Sequence, residues 1–355
     1  MSRAAKIAIG VIAGIVVVAC IGMFAFDRHI LNQTYARNVV DSPSLMLTDA
    51  DIESDYPYED VEFELDGSTL RGHVYGAENN ERGLIVFRHG IYSQHQDYLA
   101  LITALVDKGW KVLAYDAIGC GESDGDSVLG FAQSPRDVHA AVQFARAHNV
   151  NNGLPIVLVG HSWGGYGVAG ALDYDDGVEA CVTLSGFDAP NEIIMESAVA
   201  RMGAIASTQA PLIDFIGRLD FGADANRSAS RAIDESGIPV LVIHGVEDAV
   251  ISYDGSSIIA EREHIANPNV AYITKTEENR AGHNSYFYSP ESQVYLAACS
   301  EKLTALSEKY GSSIPDDVLK EFFDSIDKRR ANTADPQLID EIDAFLAQAV
   351  EAKTE

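Results

Sequence analysis

The chain has 355 residues, of which 47% are hydrophobic and 22% charged, enough apolar material for one large domain with appendages. Its formal net charge of −28 leaves no basic stripe to neutralise phosphates, which excludes a nucleic-acid partner and fits a solvated acidic surface. Four cysteines, Cys20, Cys120, Cys181 and Cys299, fit neither a zinc spacing nor a disulfide framework, and no metal or nucleotide motif occurs, so no cofactor is expected.

Residues 7–26 form an uncharged apolar run of the length that crosses a bilayer. Its nine Ile and Val and two Phe favour insertion by roughly 3–6 kcal/mol. Arg3 and Lys6 precede it, so the positive-inside rule puts the N-terminus in the cytoplasm and the rest of the chain outside. A cleaved signal peptide would need a small-x-small site near the end of the run, and none is there. Val17-Val18-Ala19-Cys20 offers lipoprotein anchoring through Cys20 as an alternative, but the chain stays apolar to Phe26 where a lipid tether should be polar. A buried core helix would carry a polar face, which this run lacks. The expected organisation is a membrane anchor over 1–30 and a juxtamembrane linker over 31–59 that is rich in Asp, Ser, Tyr and Pro.

From Val61 the pattern alternates between strand and helix. Runs 61–65 and 69–75 flank Asp66-Gly67, a hairpin signal. Strands are expected at 84–87, 111–115, 156–160, 178–184, 239–244 and 270–274, with helices at 98–108, 137–148, 256–264 and 294–306 between or after them. About 50 residues without strand character separate the strand at 178–184 from the next, so a helical cap is expected at about 187–237. A helical pair, 318–326 and 338–350, closes the chain as an extension over 311–355. Crossovers of this kind build an α/β domain, over 60–310, with a mostly parallel sheet and helices on both faces. Ligand chemistry in such sheets gathers at the carboxyl ends of the strands. His89-Gly90, Asp116, Ser162, Ser185, Asp248 and His283 all fall there.

Ser162 sits in Gly160-His161-Ser162-Trp163-Gly164, after an apolar strand and before a small-residue helix. A turn this tight has no room for flanking side chains, which is what the two glycines provide. A serine hydroxyl needs a base, and His283, in a loop after the last strand, is the candidate. Of the nine other histidines, His95 is the one rival; His161 is expected to point away from the nucleophile, and His244 to pack beneath the acid loop. Asp248 is the carboxylate that would orient the imidazole, with Glu247 facing away. The oxyanion donors are the amides of Trp163 and Ile91.

Arg88-His89-Gly90, Asp116-x-x-Gly119-x-Gly121-x-Ser123, the Ser162 pentapeptide, His244-Gly245-x-x-Asp248 and Gly282-His283 together resemble the α/β-hydrolase superfamily. The likeness is to the bacterial branch related to serine aminopeptidases and monoglyceride-lipase-like esterases, over residues 60–310. It implies an eight-stranded α/β-hydrolase fold, a Ser162 nucleophile and an acyl-enzyme intermediate. The expected activity is cleavage of carboxylic ester or lipid-like acyl bonds. An aminopeptidase with the same residues is the alternative, in which Asp188, Glu192 and Glu196 would bind a free amine. A non-catalytic binding protein retaining the fold is the alternative from another class.

Overall fold

A computed structural model describes residues 2–38, 44–78, 80–311 and 314–352. The chain opens with α1 (Arg3–Thr34) and a single turn, α2 (Asp49–Ile52). The α1 helix does not stop where the apolar run stops; it continues through eight more residues to Thr34. Those residues carry Asp27 and Arg28, and they touch the rest of the chain. Arg28 forms a bidentate pair with Asp220, and Leu31 and Tyr35 pack into the core. After the helix, Arg37 donates to the carbonyls of Gly121, Ser123 and Gly125, fixing the chain where a loose linker was expected.

The hairpin β1 (Tyr58–Leu65) and β2 (Ser68–Tyr75) turns at Asp66-Gly67, both with positive φ, as the dipeptide predicts. Then follow β3 (Leu84–Arg88), α3 (Leu99–Asp107), β4 (Lys111–Tyr115), α4 (Ser134–Ala147), β5 (Ile156–His161), α5 (Trp163–Gly170) and β6 (Ala180–Leu184). The insert holds α6 (Pro190–Met202), α7 (Ala210–Phe221) and α8 (Ala229–Ser236). Of these α6 and α7 form the cap, whereas α8 turns back onto the sheet with Ala229, Ala232 and Ile233 in the core. The chain ends with β7 (Val240–Gly245), β8 (Val270–Lys275), α9 (Pro290–Tyr310), α10 (Asp316–Asp324), α11 (Lys328–Ala331) and α12 (Pro336–Glu351). The helix expected near 256–264 is a 3-10 segment, Ile258–His264.

The eight strands run in the order β1-β2-β4-β3-β5-β6-β7-β8. The six from β4 to β8 pair in parallel, and β2 is antiparallel to both of its neighbours. Alternate residues of each central strand serve two cores. Val86, Leu113, Leu158 and Val242 face α4, α5 and α8, while Ile85, Ala114, Val157 and Leu241 face α3 and α12. Runs of five and six buried residues in β3 to β7 follow from that two-sided cover. The sheet is therefore an α/β-hydrolase sheet, and its carboxyl edge faces the cap.

Helix α12 closes the second core through Leu338, Ile342 and Leu346, all fully buried. An Ile342→Ala substitution should lower the unfolding free energy by about 2–5 kcal/mol, read by urea denaturation in detergent. A change near zero would show that α12 is not part of the cooperative unit.

Candidate active site

Ser162 follows β5 directly and caps α5 with φ 58° and ψ −118°, a conformation an L-residue holds only where its surroundings force it. Two glycines make that possible. A Cβ on Gly160 would lie 2.3 Å from the Gly164 carbonyl oxygen, and one on Gly164 would lie 2.0 Å from that of Arg88. The Ser162 amide donates to Leu184 on β6, and its carbonyl accepts from Tyr166, so both flanks of the turn are held. Beneath it the fully buried Arg88 stacks its guanidinium 4.2 Å from the Trp163 ring and pairs with Asp137.

His283 and Asp248 meet on neighbouring loops. His283 Nδ1 lies 2.7 Å from Asp248 Oδ2, and the other carboxylate oxygen accepts the amides of Val250 and Ile251. His244, buried on β7, places Nε2 3.2 Å from the same Asp248 Oδ2. Burial alone would raise the Asp248 carboxyl, but hydrogen bonds from His244 and His283 hold it well below the usual carboxylate range. Glu247 is exposed and faces away. Among the described residues Ser162 Oγ has no hydrogen-bond partner, and neither has His283 Nε2, the imidazole edge opposite Asp248.

His161 does more than the sequence suggests. Its Nε2 lies 3.2 Å from the His283 carbonyl, which also accepts from Ser185 Oγ at 2.9 Å, and its Nδ1 lies 2.8 Å from Tyr98 Oη. Tyr98 Oη in turn accepts the Gly90 amide. With Nε2 donating and Nδ1 accepting, one neutral imidazole links the His89-Gly90 loop to the His283 loop through the elbow. Burial pushes the His161 imidazole well down, with the nearby His283 ring adding to that, which keeps it neutral. The ring also lies against His283, with centroids 4.7 Å apart. Sequence offered no signal for Tyr98 or Tyr286, whose hydroxyl meets Ser185 Oγ.

The remaining histidines fall into place. His95 is not near this group; its Nδ1 is bound to Asp116 at 2.8 Å. His89 takes the Ala117 amide and is pushed down to about 3 by burial and by Arg88, so it supports the loop as a neutral ring. On the nucleophile's other side, a Cβ added to Gly90 would lie 3.3 Å from Ser162 Cβ. This brings the Ile91 loop beside the elbow. Neither the Ile91 nor the Trp163 amide donates to a carbonyl among the described residues.

Ser162, Trp163 and Ile91 open into a cavity of about 690 Å³. Its walls come from α6 (Ile193, Ile194, Ala198), from Phe131 and Phe187, and from one face of α1 (Met23, Phe26, Ile30). The carboxylates expected to bind an amine are elsewhere. Asp188 accepts the Ser230 amide and Glu196 the amides of Ser252 and Ser256, while Glu192 is exposed. Asp188 and Glu196 cap loops because an unpaired backbone amide is costly to bury. The carboxylate on the cavity wall is Asp27, from α1, whose Oδ2 has no hydrogen-bond partner.

Residues 79–223 match the family of S33 serine aminopeptidases. YfhR of Salmonella typhi, itself uncharacterised, is 27% identical over 198 residues, 54% of this chain and 64% of that one. The match thus spans less than two thirds of that relative's length. The proline iminopeptidase of Saccharolobus solfataricus is 29% identical over 121 residues, 34% of this chain and 38% of the iminopeptidase. Among solved structures, an esterase of Pyrococcus furiosus superposes with a TM-score of 0.53 at 18% identity, covering 77% of this chain and 98% of the esterase. At that identity the likeness is one of fold.

Replacing His161 by Phe keeps the ring but removes both hydrogen bonds. Losing buried partners of this kind costs about 1–3 kcal/mol. Amide exchange over residues 282–287 should therefore speed up roughly five- to hundredfold without loss of the global fold. Unchanged exchange would show that His161 does not hold that loop.

Proposed function

We propose that this chain, a member of the α/β-hydrolase superfamily, is a serine hydrolase held to a membrane by α1 and cleaving carboxylic esters of apolar acyl groups on the extracytoplasmic side. Ser162 Oγ attacks the ester carbonyl carbon while its proton passes to His283 Nε2. Asp248 fixes the tautomer and stabilises the imidazolium. The oxyanion lies on the amides of Trp163 and Ile91, each worth about 3–4 kcal/mol in the transition state. Collapse breaks the ester C–O bond, and the leaving alcohol takes the proton from His283. Water then attacks the acyl-enzyme by the same route, releasing the acid and restoring Ser162.

The observation that carries the substrate class is the wall of the cavity. Ala19, Gly22, Met23, Phe26, Ile30 and Leu31 line it on one face of a helix whose most apolar 18-residue stretch has a mean hydropathy of 2.8. The cap beside α1 exposes Met202, Ile205, Phe215 and Leu219, and Phe215 lies with its ring 6.4 Å from that of Phe24. Exposed apolar side chains continuous with a membrane-length helix fit a lipid surface. An acyl chain would lie along α1 with its ester group at Ser162.

A second reading rests on Asp27. A buried carboxylate oxygen without a partner can take a free amine, as an aminopeptidase requires. Chromogenic p-nitrophenyl esters of graded chain length, assayed beside aminoacyl anilides, separate the two. Longer esters should be turned over faster than anilides, and Asp27→Asn should leave them unaffected. Faster anilide turnover that falls in Asp27→Asn would establish the peptidase instead.

A fluorophosphonate probe should label the wild type and not Ser162→Ala, and Asp248→Asn should reduce ester turnover by about 10⁴-fold. Absence of labelling in folded protein would point to a binding protein. A chain beginning at residue 36 loses the α1 wall. Its kcat/KM for p-nitrophenyl decanoate should drop at least about tenfold, while that for the acetate changes little. Equal losses on both esters would show that α1 supports the fold rather than the acyl site.

A further inference from the structure

Asp49, His73 and His95 come together from α2, β2 and the loop after β3, on elements that carry none of Ser162, Asp248 and His283. All three are buried, with 6%, 9% and 2% of their surface exposed. His95 Nε2 lies 3.3 Å from His73 Nδ1 and 3.5 Å from Asp49 Oδ2, and His73 Nδ1 lies 3.5 Å from Asp49 Oδ1. Ligand atoms at about 2.0–2.2 Å from a tetrahedral zinc ion are about 3.3–3.6 Å from one another. The separation of the two imidazole nitrogens and the shortest approach of each to the carboxylate, through a different oxygen for each ring, fall in that range, and one ligand atom from each residue lies within 4.8 Å of the others.

The outer edges of the two imidazoles decide where their protons sit. His95 Nδ1 faces Asp116 Oδ1 at 2.8 Å, and His73 Nε2 faces Asp60 Oδ1 at 3.3 Å. With a metal bound, these carboxylates would hold the N–H of each neutral imidazole toward themselves, freeing the inner nitrogens, His95 Nε2 and His73 Nδ1, to coordinate. Two lone pairs and a carboxylate then converge on one buried spot. The donor nearby, the Tyr75 hydroxyl, is committed to Asp49 Oδ1 at 2.5 Å, and Asp49 Oδ2 has no hydrogen-bond partner. Without an ion, a shared proton must join His95 to His73 and Asp49, and Asp49 Oδ2 is still left without a hydrogen-bond partner in a buried site. A cation at the centre resolves all three contacts at once. Imidazole ligands each backed by a carboxylate are also the usual surroundings of bound zinc.

We propose that Asp49, His73 and His95 bind a divalent transition metal, zinc by its nitrogen and oxygen donors. The Tyr75 hydroxyl, 3.1 Å from His73 Nδ1, stands at the fourth position. The ion joins the segment after α1 to β2 and to the loop that runs from Ile91 to His95. No sequence spacing could have signalled it, because the ligands lie on three elements spread between residues 49 and 95.

The test uses the full chain, without an affinity tag, purified in detergent from zinc-supplemented medium. Elemental analysis should find about one zinc per chain, and an anomalous difference peak at the zinc edge should lie between the three side chains. Stripping with a chelator should lower Tm by about 5 °C or more, with zinc restoring it. His73→Asn should lose the metal, while His264→Ala, which alters an exposed His–Glu261 pair, should retain it. Metal-free protein whose Tm does not respond to added zinc would overturn the proposal, and the cluster would then be a proton-sharing network. So would zinc that leaves with His264.

Discussion

The arrangement rests on a steric constraint at one residue. Ser162 is held with positive φ because β5 and α5 approach so closely that Gly160 touches the Gly164 carbonyl and Gly164 touches that of Arg88. Any side chain at either glycine would push strand and helix apart and relax the turn. The same closeness brings the Arg88-His89-Gly90 segment against the elbow, so the backbone that would meet an oxyanion is placed by packing. The buried Arg88 pairs with Asp137 and stacks on Trp163, so the base of the turn is filled by a charged group whose hydrogen bonds fix its direction. Such a group specifies orientation better than an aliphatic side chain of the same volume.

From that turn the geometry spreads through hydrogen bonds rather than through the sheet. His161, the residue before the serine, reaches the His89-Gly90 loop through Tyr98 and the His283 loop through its carbonyl. A neutral ring suits this role because it has one donor and one acceptor, and protonation would put a donor against the Tyr98 hydroxyl. The Asp248 carboxylate is similarly shared, between His283 and His244. In the proposed mechanism His244 gives the acid loop a second anchor, so that Asp248 does not swing when His283 takes a proton.

How much of this the sequence disclosed depends on how local each constraint is. The tight turn at Ser162 was legible because its cause lies within five residues, and the pairing of Asp248 with His283 because each follows a strand end in chain order. The role of His161 was not, since the direction of its ring depends on Tyr98 and His283, which only the folded sheet brings near. The Asp188, Glu192 and Glu196 group read as one acidic helix face, yet α6 turns Ile193 and Ile194 to the cavity, Glu196 and the preceding Asp188 bind backbone amides, and Glu192 is exposed. Hydropathy found the apolar run but not its continuation, because Asp27 and Arg28 break the pattern that marks a bilayer span. The partner of Arg28 lies about 190 residues away on α7, and Asp27 faces the cavity, placements that no window along the chain can see.

That continuation changes what α1 is for. The face that lines the cavity begins at Ala19 and ends at Thr34 and Tyr35, a length of about 23 Å at 1.5 Å per residue. The apolar run itself, 7–26, is about 30 Å long, the thickness of the hydrocarbon layer. The first two turns of the cavity wall are therefore the last two turns of the span, and in the proposed topology the cavity begins inside the outer leaflet. The exposed apolar residues of α6 and α7 surround the same end. An acyl chain leaving the bilayer along α1 would exchange one apolar contact for another on its way to Ser162, without the penalty of about 0.8 kcal/mol per CH₂ group that crossing water would bring. A simple tether would need only the span. In the proposed topology, a span that also forms the wall of the cavity would tie substrate selection to membrane insertion, and the Arg28–Asp220 pair and the Tyr92–Thr34 hydrogen bond would be what locks the helix to the cap and to the Ile91 loop.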